Sequence, residues 1–250
     1  MPDFGVAVWV LVAFYAVMVG LAKTGVPGIG LLGGVLLITF AEGWMEAKQA
    51  VGFMLPMLIA GDIFALSYYR RHAVWRHLVR LLPWAVAGVL LGNQTMGVIG
   101  DKDLKHIIGA LVVVLLAVDW WRNSRGESIR IPNQWWVAAA VGISAGFATM
   151  LANAAGPLIA LYLLALTLEK HEFIGTAAWF FFIINTFKVP FFLHQKMITP
   201  ESFTANLMLI PAIALGAICG IFLLKRLPQA RFVIIVKVLT LCSALKLLLS

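Results

Sequence analysis

Asp62 and Lys188 are ionisable residues inside strongly apolar stretches of this 250-residue sequence. Asp62 is in the stretch 47–69, and Lys188 is in the stretch 172–193. A charge inside a membrane-spanning helix costs about 2.5–3.5 kcal/mol on insertion scales, so each of these residues needs a function or a partner. Asp62 is predicted to be either a group that loads and releases a proton or the structural ion-pair partner of Lys23 or Lys188.

Lys188 stands near the end of its apolar stretch, two residues before Pro190, and has two interpretations. Its long side chain either reaches the membrane surface or points inward as a cation for a substrate. Asn185 lies one helical turn earlier on the same face, which favours the inward position. We therefore expect Asn185 and Lys188 to face a bound substrate.

Two junctions that contain glycine and proline precede short apolar stretches, KTGVPGIG at 23–30 and TMLANAAGP at 149–157. Glycine allows a close backbone approach, and proline is tolerated in the first turn of a helix. A helix that begins inside a membrane directs free N–H groups and the positive end of its dipole at an anion, although small residues can also serve only close helix packing. The junction residues expected to contact an anion are Lys23, Thr24, Gly28, Gly30, Asn153 and Gly156.

Four residues keep a second interpretation. Lys23 could simply mark the cytoplasmic end of a helix, and Asn153 could cap a helix while also contacting a ligand. Thr176 and Trp179 could line a cavity, but such residues in a membrane span more often pack or lie at the interface. The histidines lie in or beside loops, and their spacing predicts no metal site.

The chain as a whole is 62% hydrophobic and 12% charged, with a mean hydropathy of +0.96. Soluble domains have about 45–50% apolar and about 25% charged residues. A helix of about 20 residues crosses a hydrocarbon core roughly 30 Å thick, so the sequence predicts an all-α polytopic protein of the cell membrane. The ten predicted segments are 4–22, 27–41, 47–69, 78–98, 104–121, 135–151, 154–168, 172–193, 203–224 and 230–249. The short segments 27–41 and 154–168 either span the membrane or re-enter from one side.

The two halves of the chain contain related patterns. The pattern Pro-x4-Gly-x3-Gly occurs at 83–92 and again at 211–220, and Asp62 aligns with Asn185. Each half contains five segments, an odd number, so the second half must enter the membrane in the opposite orientation. The predicted units are an N-terminal repeat at 1–122, a cytoplasmic linker at 123–133 and a C-terminal repeat at 134–250, with inverted topologies.

Basic residues concentrate in the loops 70–80 and 225–231 and in the linker, whereas acidic residues dilute the lysines of the other loops. Cytoplasmic loops carry the excess of lysine and arginine in membrane proteins. Both termini are therefore predicted to face away from the cytoplasm. The basic residues of these loops account for the formal charge of +8, so this charge indicates no nucleic-acid partner.

Several sequence elements resemble the TauE/SafE sulfite exporter family of membrane transporters over nearly the whole chain. They are KTGVPGIG, NAAGP, EFIGTAAWFFFIINTFKVPF and the paired proline-glycine patterns. The resemblance implies transport of a small anion such as sulfite, an organosulfonate or a related carboxylate, with no enzymatic activity and no cofactor. We expect a site near the membrane midplane between the repeats, with alternating access and with Asp62 coupling transport to protons.

Other functions require features that the sequence lacks. A membrane-embedded enzyme would need a nucleophile with its base or a metal cluster, and the zinc-binding pattern HExxH does not occur. A metal or cation permease would normally contain intramembrane His, Asp or Cys clusters, and a non-transporting structural subunit would not require ionisable residues at depth. The expected partners are a small anion, membrane lipid and protons, and oligomeric assembly stays open.

Overall fold

The computed structural model describes residues 5–30, 34, 47–96 and 135–249. Within these residues the chain forms nine α-helices and one 3₁₀ turn, without a β-strand. The helices are α1 (Val6–Thr24), α2 (Ala47–Tyr69), α3 (Trp75–Thr95), α4 (Trp135–Ala152), α5 (Gly156–Ala165), α6 (Lys170–His194), α7 (Pro200–Met208), α8 (Ile210–Arg226) and α9 (Gln229–Leu249). The 3₁₀ turn Arg70–His72 follows α2 directly.

Four helical spans are long and apolar enough to cross a membrane. They are α1, the span Lys48–His72, α4 and α6. Helices α7 and α8 are bent by 48° at Leu209 and satisfy the same criteria when taken together. These spans confirm the predicted all-α, multi-pass membrane protein.

Some of the predicted segments lie outside the described residues. This holds for the segment 104–121, for most of the segment 27–41 and for the linker 123–133. The segment 154–168 forms α5, which has 10 residues. At 1.5 Å per residue α5 is about 15 Å long, so alone it is too short to cross a hydrocarbon core of roughly 30 Å.

Local sequence signals fix the ends of the helices around the central cavity. Glu169 caps the start of α6, and its backbone N–H donates a hydrogen bond of 3.2 Å to the side chain of Glu172. Thr199 caps the start of α7, and its hydroxyl accepts from the backbone N–H of Ser202 at 3.2 Å. Both are capping boxes. Asn153 follows the end of α4 with a φ of 52°, which asparagine tolerates better than most residues.

Close contact between α1 and α8 requires glycine on both helices. A Cβ atom on Gly20 would overlap the carbonyl oxygen of Ile213. A Cβ atom on Gly216 would overlap the carbonyl oxygen of Val17. Small residues let helix backbones approach closely within a membrane, where packing holds helices together. These glycines therefore serve helix packing.

Helices α3 and α4 pack in the same manner. A Cβ atom on Gly146 would overlap the carbonyl oxygen of Ala85, and one on Gly88 would overlap that of Ile143. Gly88 and Gly216 occupy the same position in the two Pro-x4-Gly-x3-Gly patterns. The repeated pattern thus makes the same type of backbone contact in both halves of the chain.

One end of the bundle gathers loops that the sequence predicts to be cytoplasmic. The Nζ atom of Lys170 donates to the carbonyl oxygens of Leu224 at 2.9 Å and of Leu227 at 2.6 Å, which satisfies the end of α8. The Nζ atom of Lys225 lies 5.1 Å from the ring centroid of Tyr68. The end of α2 and the end of α8 are therefore on the same side.

Helices α2 and α6 pack against each other and carry the deeply buried polar residues. Asp62 on α2 is 0% exposed, and Asn185 and Lys188 on α6 are 1% and 0% exposed. Helix α1 also packs against α2, so Lys23 at the end of α1 reaches Asp62. The contact of α2 with α6 therefore positions the site.

Candidate anion-binding site

A cavity of about 130 Å³ lies where the two junctions meet α2 and α6. Six of the eight residues that the sequence predicted for substrate binding line it: Lys23, Gly28, Gly30, Asn153, Gly156 and Asn185. Most of the remaining wall is apolar and includes Met54, Leu58, Ile159 and Phe173. The two distant junctions thus contribute to one cavity.

Lys23 lines this cavity and holds a buried carboxylate behind it. Its Nζ atom lies 2.6 Å from Oδ1 of Asp62, and the side chain of Lys23 is 13% exposed while that of Asp62 is fully buried. The same Nζ atom lies 4.3 Å from the ring centroid of Phe181, within the range of a cation–π interaction. The ion pair with Lys23 is one of the alternatives that the sequence left open for Asp62.

Asp62 and Asn185 join α2 to α6 by a buried hydrogen bond. The Nδ2 atom of Asn185 donates to Oδ2 of Asp62 at 2.9 Å. Each carboxylate oxygen of Asp62 therefore has a partner, one cationic and one neutral. The Oδ1 atom of Asn185 is buried and accepts no hydrogen bond from the residues that the structure describes.

Lys188 is buried in the helix bundle and does not reach the membrane surface, so the surface interpretation of this lysine is wrong. Its Nζ atom donates to the backbone oxygen of Thr149 at 2.8 Å, to the hydroxyl of Thr149 at 3.0 Å and to Oδ1 of Asn153 at 2.6 Å. Three oxygen acceptors match the three N–H donors of an ammonium group. Thr149 and Asn153 line the cavity, and Lys188 lies behind them.

Asn153 organises the second junction. Its backbone N–H donates to the carbonyl oxygen of Thr149, and its Nδ2 atom donates to the carbonyl oxygen of Val51 at 3.0 Å. The residue that caps the start of α5 is Ala155, not Asn153. Asn153 therefore closes the end of α4, because an asparagine with positive φ can end a helix.

The start of α5 faces open space at Gly156, where an added Cβ atom would meet nothing within 4 Å among the described residues. Ala155 supplies no side-chain cap to this helix start. The first N–H groups of a helix lack intrahelical partners and carry the positive end of the dipole. Gly156 lines the cavity, so this end of α5 borders the same space as Lys23.

Gly28 has a conformational reason to be glycine. Its φ is +103°, and a Cβ atom there would press on the side chain of Leu239 in α9. Other residue types rarely adopt this backbone conformation. The first junction therefore turns sharply at Gly28 and packs against α9.

The other predicted site residues make packing contacts away from the cavity. The hydroxyl of Thr24 donates to the carbonyl oxygens of Gly20 at 2.9 Å and of Ala217 at 2.8 Å, between α1 and α8. The hydroxyl of Thr176 accepts from the backbone N–H of Val74 at 3.0 Å. The indole N–H of Trp179 donates to the carbonyl oxygen of Arg70 at 3.3 Å. Thr176 and Trp179 attach α6 to the connection between α2 and α3.

The lining residues that escaped the prediction from sequence include Tyr15, Thr149 and Phe181. Thr149 begins the second junction, so its position gave a usable signal. Tyr15 and Phe181 stand in continuous apolar helices, where nothing local separates a cavity wall from a packed core. Among the described residues, no group of three or more His, Cys, Asp or Glu side chains is placed to hold a metal ion.

A helical bundle with several membrane spans and a cation at a cavity between interrupted helices has the organisation of a membrane transporter. The profile of the sulfite exporter TauE/SafE family matches residues 6–247, and the chain belongs to this family. It is therefore a multi-pass membrane protein of a family that transports small anions, and it is not an enzyme. No curated protein and no solved structure gave a significant match.

Proposed function

We propose that the protein is a secondary transporter that binds a small sulfur-containing or carboxylate anion, such as sulfite or an organosulfonate, in the cavity between the two junctions. The observation that carries this proposal is the position of Lys23. Among the described residues that line the cavity, Lys23 is the one charged side chain. An anion bound there would meet an ammonium group and the start of α5.

The charge balance of the buried residues supports an anionic ligand. Lys23 and Lys188 provide two basic side chains, while Asp62 provides one acidic side chain. One basic group therefore has no acidic partner among the described buried groups around the cavity. An uncompensated charge in a low-dielectric region is costly, so a monovalent anion in the cavity would stabilise the bundle.

The size and lining of the cavity favour a small ligand. Its volume of about 130 Å³ is well below the roughly 300–1,000 Å³ of pockets for drug-sized molecules. The apolar wall exposes few groups that could replace the hydration shell of a large polar ligand. An anion with a few heavy atoms and a compact charge fits these constraints.

Alternating access between two inverted repeats is part of the proposal. Its support is the correspondence between halves: Gly88 and Gly216 make matching backbone contacts, and Asp62 faces Asn185 across α2 and α6. Residues that correspond in two repeats and also touch lie close to the axis that relates the repeats. A site beside this axis can open to either side when one repeat rocks against the other.

Proton coupling through Asp62 follows from its ion pair with Lys23. An ionised Asp62 competes with a substrate anion for the same ammonium group. Protonation of Asp62 would remove this competitor and leave Lys23 free to bind the anion. Proton binding and anion binding would then favour each other, as coupling requires.

The test is a flux screen in proteoliposomes. Sulfite, small organosulfonates, carboxylates and divalent cations are compared with and without a pH gradient. We expect flux of sulfite or a sulfonate that the gradient accelerates, and no flux of divalent cations. Flux of divalent cations in the absence of anion flux would contradict the proposal.

A further inference from the structure

Asn185 lines the cavity, and its Oδ1 atom is a buried hydrogen-bond acceptor without a hydrogen-bond partner in the described part of the chain. Asn185 is 1% exposed, so bulk water does not reach it readily. A buried acceptor without a donor costs about 1–3 kcal/mol. Such a group in a binding cavity calls for a donor on the ligand.

The orientation of this amide follows from its neighbour. A carboxylate accepts hydrogen bonds and does not donate them, so Asp62 must face the NH₂ group of Asn185. The Oδ1 atom of Asp62 pairs with Lys23, and Oδ2 stays an acceptor whether Lys23 or a proton is on Oδ1. The amide oxygen of Asn185 is consequently directed away from Asp62.

Asn153, the other asparagine at the cavity, has an amide oxygen that already accepts a hydrogen bond. The Oδ1 atom of Asn153 accepts from the ammonium group of Lys188 at 2.6 Å, and the oxygens of Thr149 accept from the same group. These acceptors are already satisfied. Asn185 therefore supplies the acceptor that a ligand can use.

We propose that Asn185 is a specificity-determining residue, which selects anions that carry a hydrogen-bond donor over equally charged anions that lack one. This inference rests on the anion site of the proposed function and adds the chemistry of its ligand. The ammonium group of Lys23 and the start of α5 attract negative oxygens, while the Oδ1 atom of Asn185 accepts from a hydroxyl of the same ligand. A singly protonated oxyanion has both features, whereas its doubly ionised form lacks the donor.

Two sulfonates of matched shape test the selection directly. Hydroxymethanesulfonate and ethanesulfonate have the same charge and the same number of heavy atoms, and they differ by a hydroxyl in place of a methyl group. Binding to the purified wild-type protein is measured by titration calorimetry, which does not depend on transport. We expect hydroxymethanesulfonate to bind about tenfold more tightly, the ratio for one hydrogen bond to a buried acceptor.

The variant Asn185→Leu should reduce this ratio to about one while retaining binding of ethanesulfonate. Asn206→Leu is a matched control, because Asn206 is also a buried amide with an unpartnered Oδ1 atom but lies outside this cavity. The control should keep the wild-type ratio.

Equal binding of the two sulfonates to the wild-type protein, or no binding of either, would overturn the inference even if the Asn185 variant does not fold. The proposed function fails on a different result, the absence of anion flux in proteoliposomes. A protein that transports sulfite but binds both sulfonates equally would retain the proposed function and lose the selection by Asn185.

Discussion

The amide nitrogen of Asn185 on α6 lies 2.9 Å from Oδ2 of Asp62 on α2, at the centre of a bundle with several membrane spans. The two residues align when the halves of the sequence are compared, and in the structure they touch. Their surroundings differ in charge, because only Asp62 of the two is paired with a lysine. The proposed transport cycle depends on this difference.

Asp62→Asn should uncouple transport from the proton gradient. Asparagine keeps the shape of aspartate but cannot titrate between pH 5 and 8, so sulfite counterflow should persist while its acceleration by a pH gradient is lost. Lys23 loses its partner in this variant, but it borders the cavity and can pair with the substrate anion. Proteoliposome flux is measured beside thermal stability. A stable variant with the wild-type response to pH would exclude Asp62 as the coupling residue.

Lys188→Met should abolish most anion transport while the protein stays folded. Methionine retains the apolar stem and removes the amino group that holds Thr149 and Asn153 at the cavity wall. Hydrogen bonds to charged groups are worth about 1.5–3 kcal/mol, so flux should fall at least about tenfold. Lys196→Met is the control, because Lys196 is exposed and lies outside the cavity. Unchanged flux in Lys188→Met would assign Lys188 a purely structural role with Thr149 and Asn153.

Two glycine substitutions should separate packing from binding. In Gly146→Ala, the new methyl group meets the carbonyl oxygen of Ala85, so we expect a loss of about 1–3 kcal/mol in the free energy of unfolding. In Gly156→Ala, the methyl group meets none of the described residues within 4 Å, so stability should be retained while affinity for the anion changes. Thermal denaturation in detergent measures the first effect. Equal stability of both variants would contradict the packing assigned to α3 and α4.

Membrane topology follows from the loop charges and is tested by cysteine labelling. The two native cysteines, Cys219 and Cys242, are first replaced by alanine. Single cysteines at 72–78 and at 123–129 should then react from the cytoplasmic side, and cysteines at both termini should react from the opposite side. Labelling of the two termini from different sides would remove the inverted ten-segment arrangement.

The class of protein and the location of the cavity were predictable from the sequence, because composition and interrupted apolar stretches are local signals. Lys23, Gly28 and Gly156 stand in such interruptions, and the structure brings them to one cavity. The alignment of Asp62 with Asn185 was also visible, since it follows from the repeated patterns.

The pairing of the charged residues was not predictable in the same way. Two lysines were possible partners for Asp62, and the choice of Lys23 depends on how α1 packs against α2. The sequence places Lys188 close to a helix end. Its burial depends on the contact of α6 with Thr149 and Asn153. Thr176 and Trp179 were equally ambiguous, because their contacts depend on the position of the connection between α2 and α3.

We infer that Lys23 binds the transported anion, and the decisive measurement is sulfite counterflow by the double variant Lys23→Met/Asp62→Asn. Removal of both members of a buried ion pair leaves no unpaired charge, so the variant is expected to fold. Asp62→Asn alone is the matched control and should retain counterflow. We expect the double variant to be folded and its counterflow to fall at least about tenfold below that of the control. Counterflow equal to that of the control would show that Lys23 does not bind the anion.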